Sequence, residues 1–183
     1  MVINTKLEMS VEMFDEWVET QEGNYEYIAG EAIEVSSNHR ASEIAGNILA
    51  FIKVFARTHK LGRVTGADGG YRIAGERYMP DVAFISYAKQ PNPSTEGYLS
   101  HPPDLAIEVI SNPANTNELH QLRIKISNYL LEGVTVWVVN PDTELVEIHR
   151  NDHPVEVIGT GGILHGYDVL PNFELPVKNI FEE

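Results

Sequence analysis

The sequence predicts a protein of the mixed α/β (α+β) class, with antiparallel hairpins near the N-terminus and in the C-terminal third. Segments with apolar residues at helical spacing alternate with short apolar runs that are typical of buried strands. With 183 residues and 43% hydrophobic content, the chain can bury one sizeable core. No repeat or low-complexity linker interrupts residues 1–183, so we expect a single domain.

The N-terminal third predicts a short helix, a hairpin and a longer helix. Ser10 precedes apolar positions at helical spacing, which indicates a capped amphipathic helix. Strands over residues 25–28 and 31–35 flank a two-residue turn signal, which predicts a hairpin. Over residues 38–59 apolar side chains recur at steps of three and four, so this segment predicts the longer helix.

The centre of the chain predicts strands, a loop and a second long helix. The predicted strands are 63–65, 70–73, 80–86, 104–110 and 134–139. Residues 89–103 hold four prolines and predict a loop. Apolar spacing over 117–132, followed by Gly133, predicts the helix. Strands over 145–150 and 155–158 predict antiparallel hairpins in the C-terminal third.

Composition excludes several classes of protein. The net charge of −14 argues against a protein that holds nucleic acid through its overall charge. The charge is uneven, because residues 1–35 contain nine acids and one base, whereas residues 40–77 contain seven bases and three acids. Without cysteine there is no disulfide, no thiolate metal site and no cysteine nucleophile, so hard cations on oxygen ligands are favoured.

Two further classes are disfavoured by motifs that the sequence lacks. It has no Gly-x-Ser-x-Gly elbow for acyl transfer and no phosphate loop or dinucleotide fingerprint. It also has no run of 18 apolar residues and no apolar core of a signal peptide, so we expect a cytoplasmic protein without a membrane partner.

Charged residues interrupt the apolar elements. Asp81 opens one predicted buried strand, Glu108 lies within the next, and Lys125 lies on the helix that follows. A buried carboxylate is costly unless it is paired or binds a cation, so these residues indicate a divalent metal, with Mg²⁺ favoured. Asp104, on the same sheet face as Glu108, is a candidate third ligand or a solvated capping residue. A structural salt bridge between Glu108 and Lys125 is the main alternative.

Several segments together carry a family resemblance. They are residues 25–31, 80–86, 103–111 and 170–176, with His39 and the series Lys125, Tyr129, Gly133-Val134, Trp137 and Pro141. They resemble the Uma-type family of bacterial endonuclease-like proteins, long described as a domain of unknown function, in the PD-(D/E)XK restriction-endonuclease-like superfamily. Ile110 stands where that superfamily usually has lysine, and in this branch the lysine lies on the following helix.

The resemblance implies a restriction-endonuclease-like core, with a central mixed β-sheet flanked by helices. It also implies a homodimer and an endonuclease that depends on Mg²⁺, with Mn²⁺ as a substitute. Nucleic acid is the implied substrate, with DNA expected. Asp81, Glu108 and the Val109 carbonyl are the implied metal ligands, and Lys125 is implied to position or activate the attacking water. The alternative is a catalytically inactive nuclease-like domain that binds a protein or nucleic acid.

For Glu26, for His39 and for the basic residues, the sequence leaves a functional and a structural interpretation open. Glu26 resembles an upstream glutamate that assists catalysis, but a hairpin glutamate is as often a surface group. His39, with Arg40 beside it, is a predicted substrate-binding residue, although a histidine at a helix start can equally cap or pack. Seven basic residues are candidates for a nucleic-acid face or for solvated helix decoration: Arg40, Lys53, Arg57, Lys60, Arg63, Arg72 and Arg77.

Overall fold

The computed structural model describes residues 7–182, which form four helices and fourteen strands. The helices are α1 (Val11–Val18), α2 (His39–Thr58), α3 (Thr116–Leu131) and α4 (Lys178–Phe181). The first eight strands are β1 (Leu7–Glu8), β2 (Tyr25–Ile28), β3 (Glu31–Glu34), β4 (Gly62–Gly66), β5 (Gly70–Ile73), β6 (Glu76–Tyr78), β7 (Val82–Ser86) and β8 (Tyr98–Leu99). The remaining strands are β9 (Leu105–Val109), β10 (Thr135–Asn140), β11 (Leu145–His149), β12 (Glu156–Ile158), β13 (Ile163–His165) and β14 (Glu174–Pro176).

The strands form two six-stranded sheets and a separate β13–β14 hairpin. The N-terminal sheet has the order β1-β3-β2-β6-β5-β8, and the central sheet has the order β12-β11-β10-β9-β7-β4. Each sheet is mixed, since β9 runs parallel to β10 and β5 parallel to β8 while their other neighbours are antiparallel. The predicted mixed α/β class with flanking helices is therefore confirmed.

The central sheet is covered on both faces, which explains the apolar runs of its inner strands. On one face α2 packs Ile44, Ile48 and Ile52 into a core with side chains of β7, β9 and β10. On the other face Tyr129 of α3 lies in a second core with residues of β10 and of the N-terminal sheet. Site residues on this second face therefore lie between the two sheets and α3.

Two tight turns fix the register of the N-terminal sheet. Ala29 and Gly30 have φ values of +50° and +85° between β2 and β3, and Ala74 and Gly75 have +48° and +85° between β5 and β6. Paired positive φ values suit a two-residue hairpin turn, and glycine adopts them without strain. These hairpins place Tyr27 of β2 opposite Arg77 of β6.

The structure contains several short elements that the sequence does not predict: β1, β6, β8, β13, β14 and α4. Strands β6 and β8 have only three and two residues, too short to show an apolar alternation, and β8 lies inside the predicted proline loop. Strands β11 and β12 form the predicted antiparallel pairs, and through β10 they belong to the central sheet. No helix within residues 7–182 is long and apolar enough to span a membrane.

Candidate active site

Strand register places the two predicted metal-binding carboxylates side by side. Val82 of β7 pairs with Ile107 of β9, so the next position of this antiparallel register sets Asp81 opposite Glu108. Because side chains alternate along a strand, Glu108 projects to the face that holds Ala106, which is the face covered by α3. The two carboxylates thus meet at one end of the central sheet.

Lys125 joins the two sheets through a buried charge cluster. Its Nζ atom lies 2.8 Å from Oε1 of Glu26 on β2 and 2.7 Å from Oε2 of Glu108 on β9. All three residues are buried, with relative exposures of 6–7%. Glu26 also accepts the backbone N–H of Met79 at 2.6 Å, so it is held from two sides. The hairpin glutamate is therefore an interior group, and its alternative interpretation as a surface residue is wrong.

Tyr129 completes the environment of Glu108. Its hydroxyl group donates a hydrogen bond of 2.9 Å to Oε1 of Glu108, and the residue is fully buried. Tyr129 follows Lys125 by four positions on α3, so both side chains project from the same helix face. A single face of α3 therefore supplies donors to both oxygens of Glu108.

A second tyrosine borders the ammonium group. The Nζ atom of Lys125 lies 5.6 Å from the centroid of the Tyr78 ring, a distance suited to a cation–π contact. The Tyr78 hydroxyl accepts a hydrogen bond of 2.6 Å from the side chain of Asn128. Asn128, Lys125 and Tyr129 all lie on α3, which makes this helix the main support of the cluster.

Asp81 lies at the open side of the cluster. Its Oδ2 atom accepts the backbone N–H of Val109 at 2.7 Å, which ties the start of β7 to the end of β9. Asp81 is half-buried, unlike Glu108. The hydrogen bond therefore fixes the Asp81 side chain beside the buried cluster.

The cluster contains more carboxyl groups than ammonium groups. Burial raises the pKa of Glu108 to about 8, against the opposing effect of Lys125, and Glu26 and Asp81 raise this pKa further. Burial also raises the pKa of Asp81. Burial alone would lower the pKa of Lys125, but the charges of Glu108 and Glu26 outweigh it and raise that pKa overall. Three carboxyl groups thus share one ammonium group.

This arrangement fits a divalent cation in charge and in donor chemistry. Carboxylate oxygens and a backbone carbonyl are the ligands that Mg²⁺ prefers, and Mg²⁺ commonly keeps several waters. Within residues 7–182 no group of three or more histidine or acidic side chains is arranged to hold a metal. The predicted ligands, Asp81, Glu108 and the Val109 carbonyl, include only two side chains, so a metal held by them would keep water in its other positions.

The start of α2 lies near this end of the central sheet. Asn38 caps the helix by accepting the N–H of Ala41 at 2.9 Å, and it donates to the Ser111 carbonyl, just beyond β9, at 2.6 Å. His39 is exposed there and lines a shallow cleft. Arg40 is also exposed, but its guanidinium donates to the Phe181 carbonyl at 2.8 Å and pairs with Glu43 at 3.1 Å. Arg40 is thus engaged in anchoring the C-terminal segment.

Asp104 lies away from the cluster, at the opposite end of β9. Its Oδ2 atom accepts the N–H of Ser86 at 2.6 Å, and its Oδ1 atom lies 3.0 Å from Nζ of Lys89. Its contacts are those of a capping residue at a strand end, and it is separated from Glu108 by most of the strand.

The sequence shows Tyr129 only as part of a predicted helix and of the family series, and it does not predict the contact with Glu108. One feature of the sequence points to this contact. Tyr129 follows Lys125 by four residues on a predicted helix, so both side chains lie on the same helix face and can bind the same carboxylate. Tyr78 and Asn128 were not singled out, since β6 was not predicted.

The fold has a counterpart among solved structures. The crystal structure of a protein described as a "putative nuclease belonging to DUF820", from Anabaena variabilis, has a TM-score of 0.79 to this chain at 18% identity. The match covers 94% of this chain and 97% of that chain. The chain therefore has a mixed α/β fold of the kind found in that nuclease-like protein.

The family follows from the sequence match. The Uma2 family, described as "Putative restriction endonuclease", matches residues 11–178. The chain belongs to this family, which confirms the resemblance carried by its motifs. No protein in the curated set matches the chain.

We predict that replacement of Lys125 by alanine destabilises the protein by about 3–5 kcal/mol, because it leaves two buried glutamates without their cation. Chemical denaturation of the two proteins measures this difference. The matched control is Lys89→Ala, which breaks a partly exposed pair with Asp104 and should cost about 1 kcal/mol or less. Equal losses in the two variants would contradict a buried charge cluster centred on Lys125.

Proposed function

We propose that the protein is a Mg²⁺-dependent endonuclease that hydrolyses phosphodiester bonds of nucleic acid, with DNA as the expected substrate. The observation that carries this proposal is the buried cluster of three carboxylates and one lysine at the end of β9. Family membership supports the nuclease class, whereas the metal, the substrate and the residue roles are our inference from the cluster. The predicted homodimer and cytoplasmic location stay predictions.

The residues have distinct proposed roles. Asp81, Glu108 and the Val109 carbonyl would hold Mg²⁺, which when bound would polarise the scissile phosphate and lower the pKa of a coordinated water. Lys125 is held between two carboxylates and is therefore protonated, so it acts as a hydrogen-bond donor. Two of its three N–H groups bind the glutamates, and the third is left to orient the attacking water or a phosphate oxygen.

Glu26 acts through Lys125 in this proposal. It accepts both the ammonium group and the Met79 N–H, and these contacts set the position of the lysine relative to Glu108. Glu26 is therefore a positioning residue. His39, exposed where β9 ends, is the proposed substrate-binding residue, while the contacts of Arg40 leave it a smaller role there.

One observation favours a second candidate function. Both oxygens of Glu108 already have donors, Lys125 and Tyr129, so the cluster is hydrogen-bonded without a metal. A catalytically inactive nuclease-like domain that binds a protein or nucleic acid would use the same contacts. The surplus of carboxyl groups over ammonium groups favours the metal-dependent enzyme, because a structural ion-pair network needs no third carboxyl group.

We predict nicking or degradation of nucleic acid by the wild type with Mg²⁺, assayed on single-stranded and duplex DNA and RNA. Glu108→Gln and Asp81→Asn should lose at least about a hundredfold in rate, since each removes a charge that holds the metal. Asp104→Asn is the matched control and should keep its activity, because Asp104 lies at the other end of β9. Equal residual cleavage in all four proteins would indicate a contaminating nuclease and contradict the proposal.

We predict that Tyr129→Phe weakens Mn²⁺ binding by about 10–100-fold, because it removes the hydrogen bond that fixes Glu108. Isothermal titration calorimetry measures the affinity. The matched control is Tyr71→Phe, which removes the buried hydroxyl bonded to Thr65 and no contact with a carboxylate. If both variants bind Mn²⁺ like the wild type, Tyr129 has only a packing role.

A further inference from the structure

The seven basic residues singled out in the sequence separate into different environments. Arg77 is buried in β6, where its guanidinium donates two hydrogen bonds to Asp15 at 2.8 and 2.7 Å. Arg40 binds Glu43 and the Phe181 carbonyl. The side chains of these two arginines bind other residues of the protein, so we exclude them from the candidate nucleic-acid face.

Three of the seven line one cleft instead. The cleft has a volume of about 530 Å³ and lies between the C-terminal half of α2, the edge strand β4 and the loop that precedes β8. Lys53 and Arg57 of α2 and Arg63 of β4 border it. Lys53 and Arg57 are exposed and lie four positions apart on one helix face, and their side chains have no ion-pair or hydrogen-bond partner among residues 7–182.

The other lining residues of the cleft include an aromatic ring and a third base, which are groups that contact nucleotide chains. Arg63 binds the carbonyl of Pro91 at 2.8 Å and lies 5.2 Å from the ring centroid of Tyr87, so it holds the loop in place. Tyr87 is 39% exposed and offers an aromatic surface. Two acids also line the cleft, and one of them, Asp68, accepts the side-chain amide of Asn24 at 2.6 Å. The balance of charge is still positive, in a protein whose net charge is −14.

The cleft borders the candidate active site. Its lining residue Tyr71 pairs across the sheet with Tyr78, whose ring centroid lies 5.6 Å from Nζ of Lys125. Strand β4 also runs from the cleft to Gly66, which pairs with Val82, the residue after Asp81. Residues of the cleft thus lie on strands that pair with the strands next to the charge cluster.

We propose that this cleft binds the sugar-phosphate backbone of the nucleic-acid strand beside the cleavage site, with Lys53 and Arg57 contacting phosphates and Tyr87 contacting a base. This inference rests on the proposed nuclease function, and it names where the substrate is held. A positive groove with an aromatic surface is the usual arrangement for binding a nucleic-acid strand without reading its sequence. Such a cleft also places the phosphate contacts away from the carboxylates, which would repel the strand in the absence of metal.

The test is a fluorescence anisotropy titration of a labelled DNA single strand and of the matching duplex, in metal-free buffer from about 50 to about 200 mM NaCl. The double variant Lys53→Gln/Arg57→Gln should bind more weakly, and the slope of log affinity against log salt for the duplex should fall by about 2. The control is Arg123→Gln/Lys178→Gln, which removes the same charge from exposed residues outside the cleft. Its slope should stay close to that of the wild type. Thermal melting verifies that both variants are folded.

The outcomes separate the two proposals. Equal slopes for the two double variants, or a wild type that binds neither probe at low salt, would overturn the cleft as a substrate site. Cleavage with Mg²⁺ that is the same in the wild type and the cleft variant would overturn it too, while the nuclease function stands. If binding depends on Lys53 and Arg57 but no protein cleaves with Mg²⁺, the cleft is supported and the proposed nuclease function fails.

Discussion

The Lys125 ammonium group lies between the carboxylates of Glu26 and Glu108, and this interaction joins three parts of the fold. Glu26 belongs to the N-terminal sheet, Glu108 to the central sheet and Lys125 to α3. Charges buried to this degree are tolerated only when each has its partner at hydrogen-bonding distance. The docking of both sheets and the helix therefore depends on contacts that also build the candidate site.

Stability alone does not explain why the ion pairs of Lys125 with Glu26 and Glu108 are buried at this position. Apolar side chains of similar volume often serve as well as a buried ion pair or better, whereas this cluster adds Asp81 and has three carboxyl groups for one ammonium group. The raised pKa values of Glu108 and Asp81 express the same imbalance, since both carboxylates lie in a poorly solvated environment with one lysine to share. Such a surplus of oxygen ligands suits a divalent cation and explains why a catalytic interpretation is favoured.

Much of the fold and of the site could be predicted from the sequence because the relevant signals are local. The stripe of α2, the buried runs of β7 and β9 and the charges placed within them are all visible as patterns along the chain. The short strands β6 and β8 could not be predicted, because two or three residues carry no periodicity and their pairing depends on distant parts of the chain. The same limit hid the contact between Tyr129 and Glu108, which a helix and a strand make only in three dimensions.

The positions of the charged side chains matter for nucleic-acid binding as well as the net charge of the protein. The net charge of −14 argues against binding of nucleic acid through overall charge. However, Asp81 and Glu108 belong to the candidate metal site, and Asp15 is paired with the buried Arg77. Two exposed bases, Lys53 and Arg57, border a cleft near the cluster. Local arrangement therefore matters more than net charge for the function proposed here.

The most direct measurement is a crystal structure of the protein grown with Mn²⁺, with anomalous diffraction used to locate the ion. The account predicts a peak between Asp81 and Glu108, within bonding distance of their carboxylates and of the Val109 carbonyl, and no peak there in crystals of Asp81→Asn. An empty cluster in the presence of Mn²⁺, with the contacts of Lys125 to Glu26 and Glu108 unchanged, would contradict the account and favour the inactive binding domain.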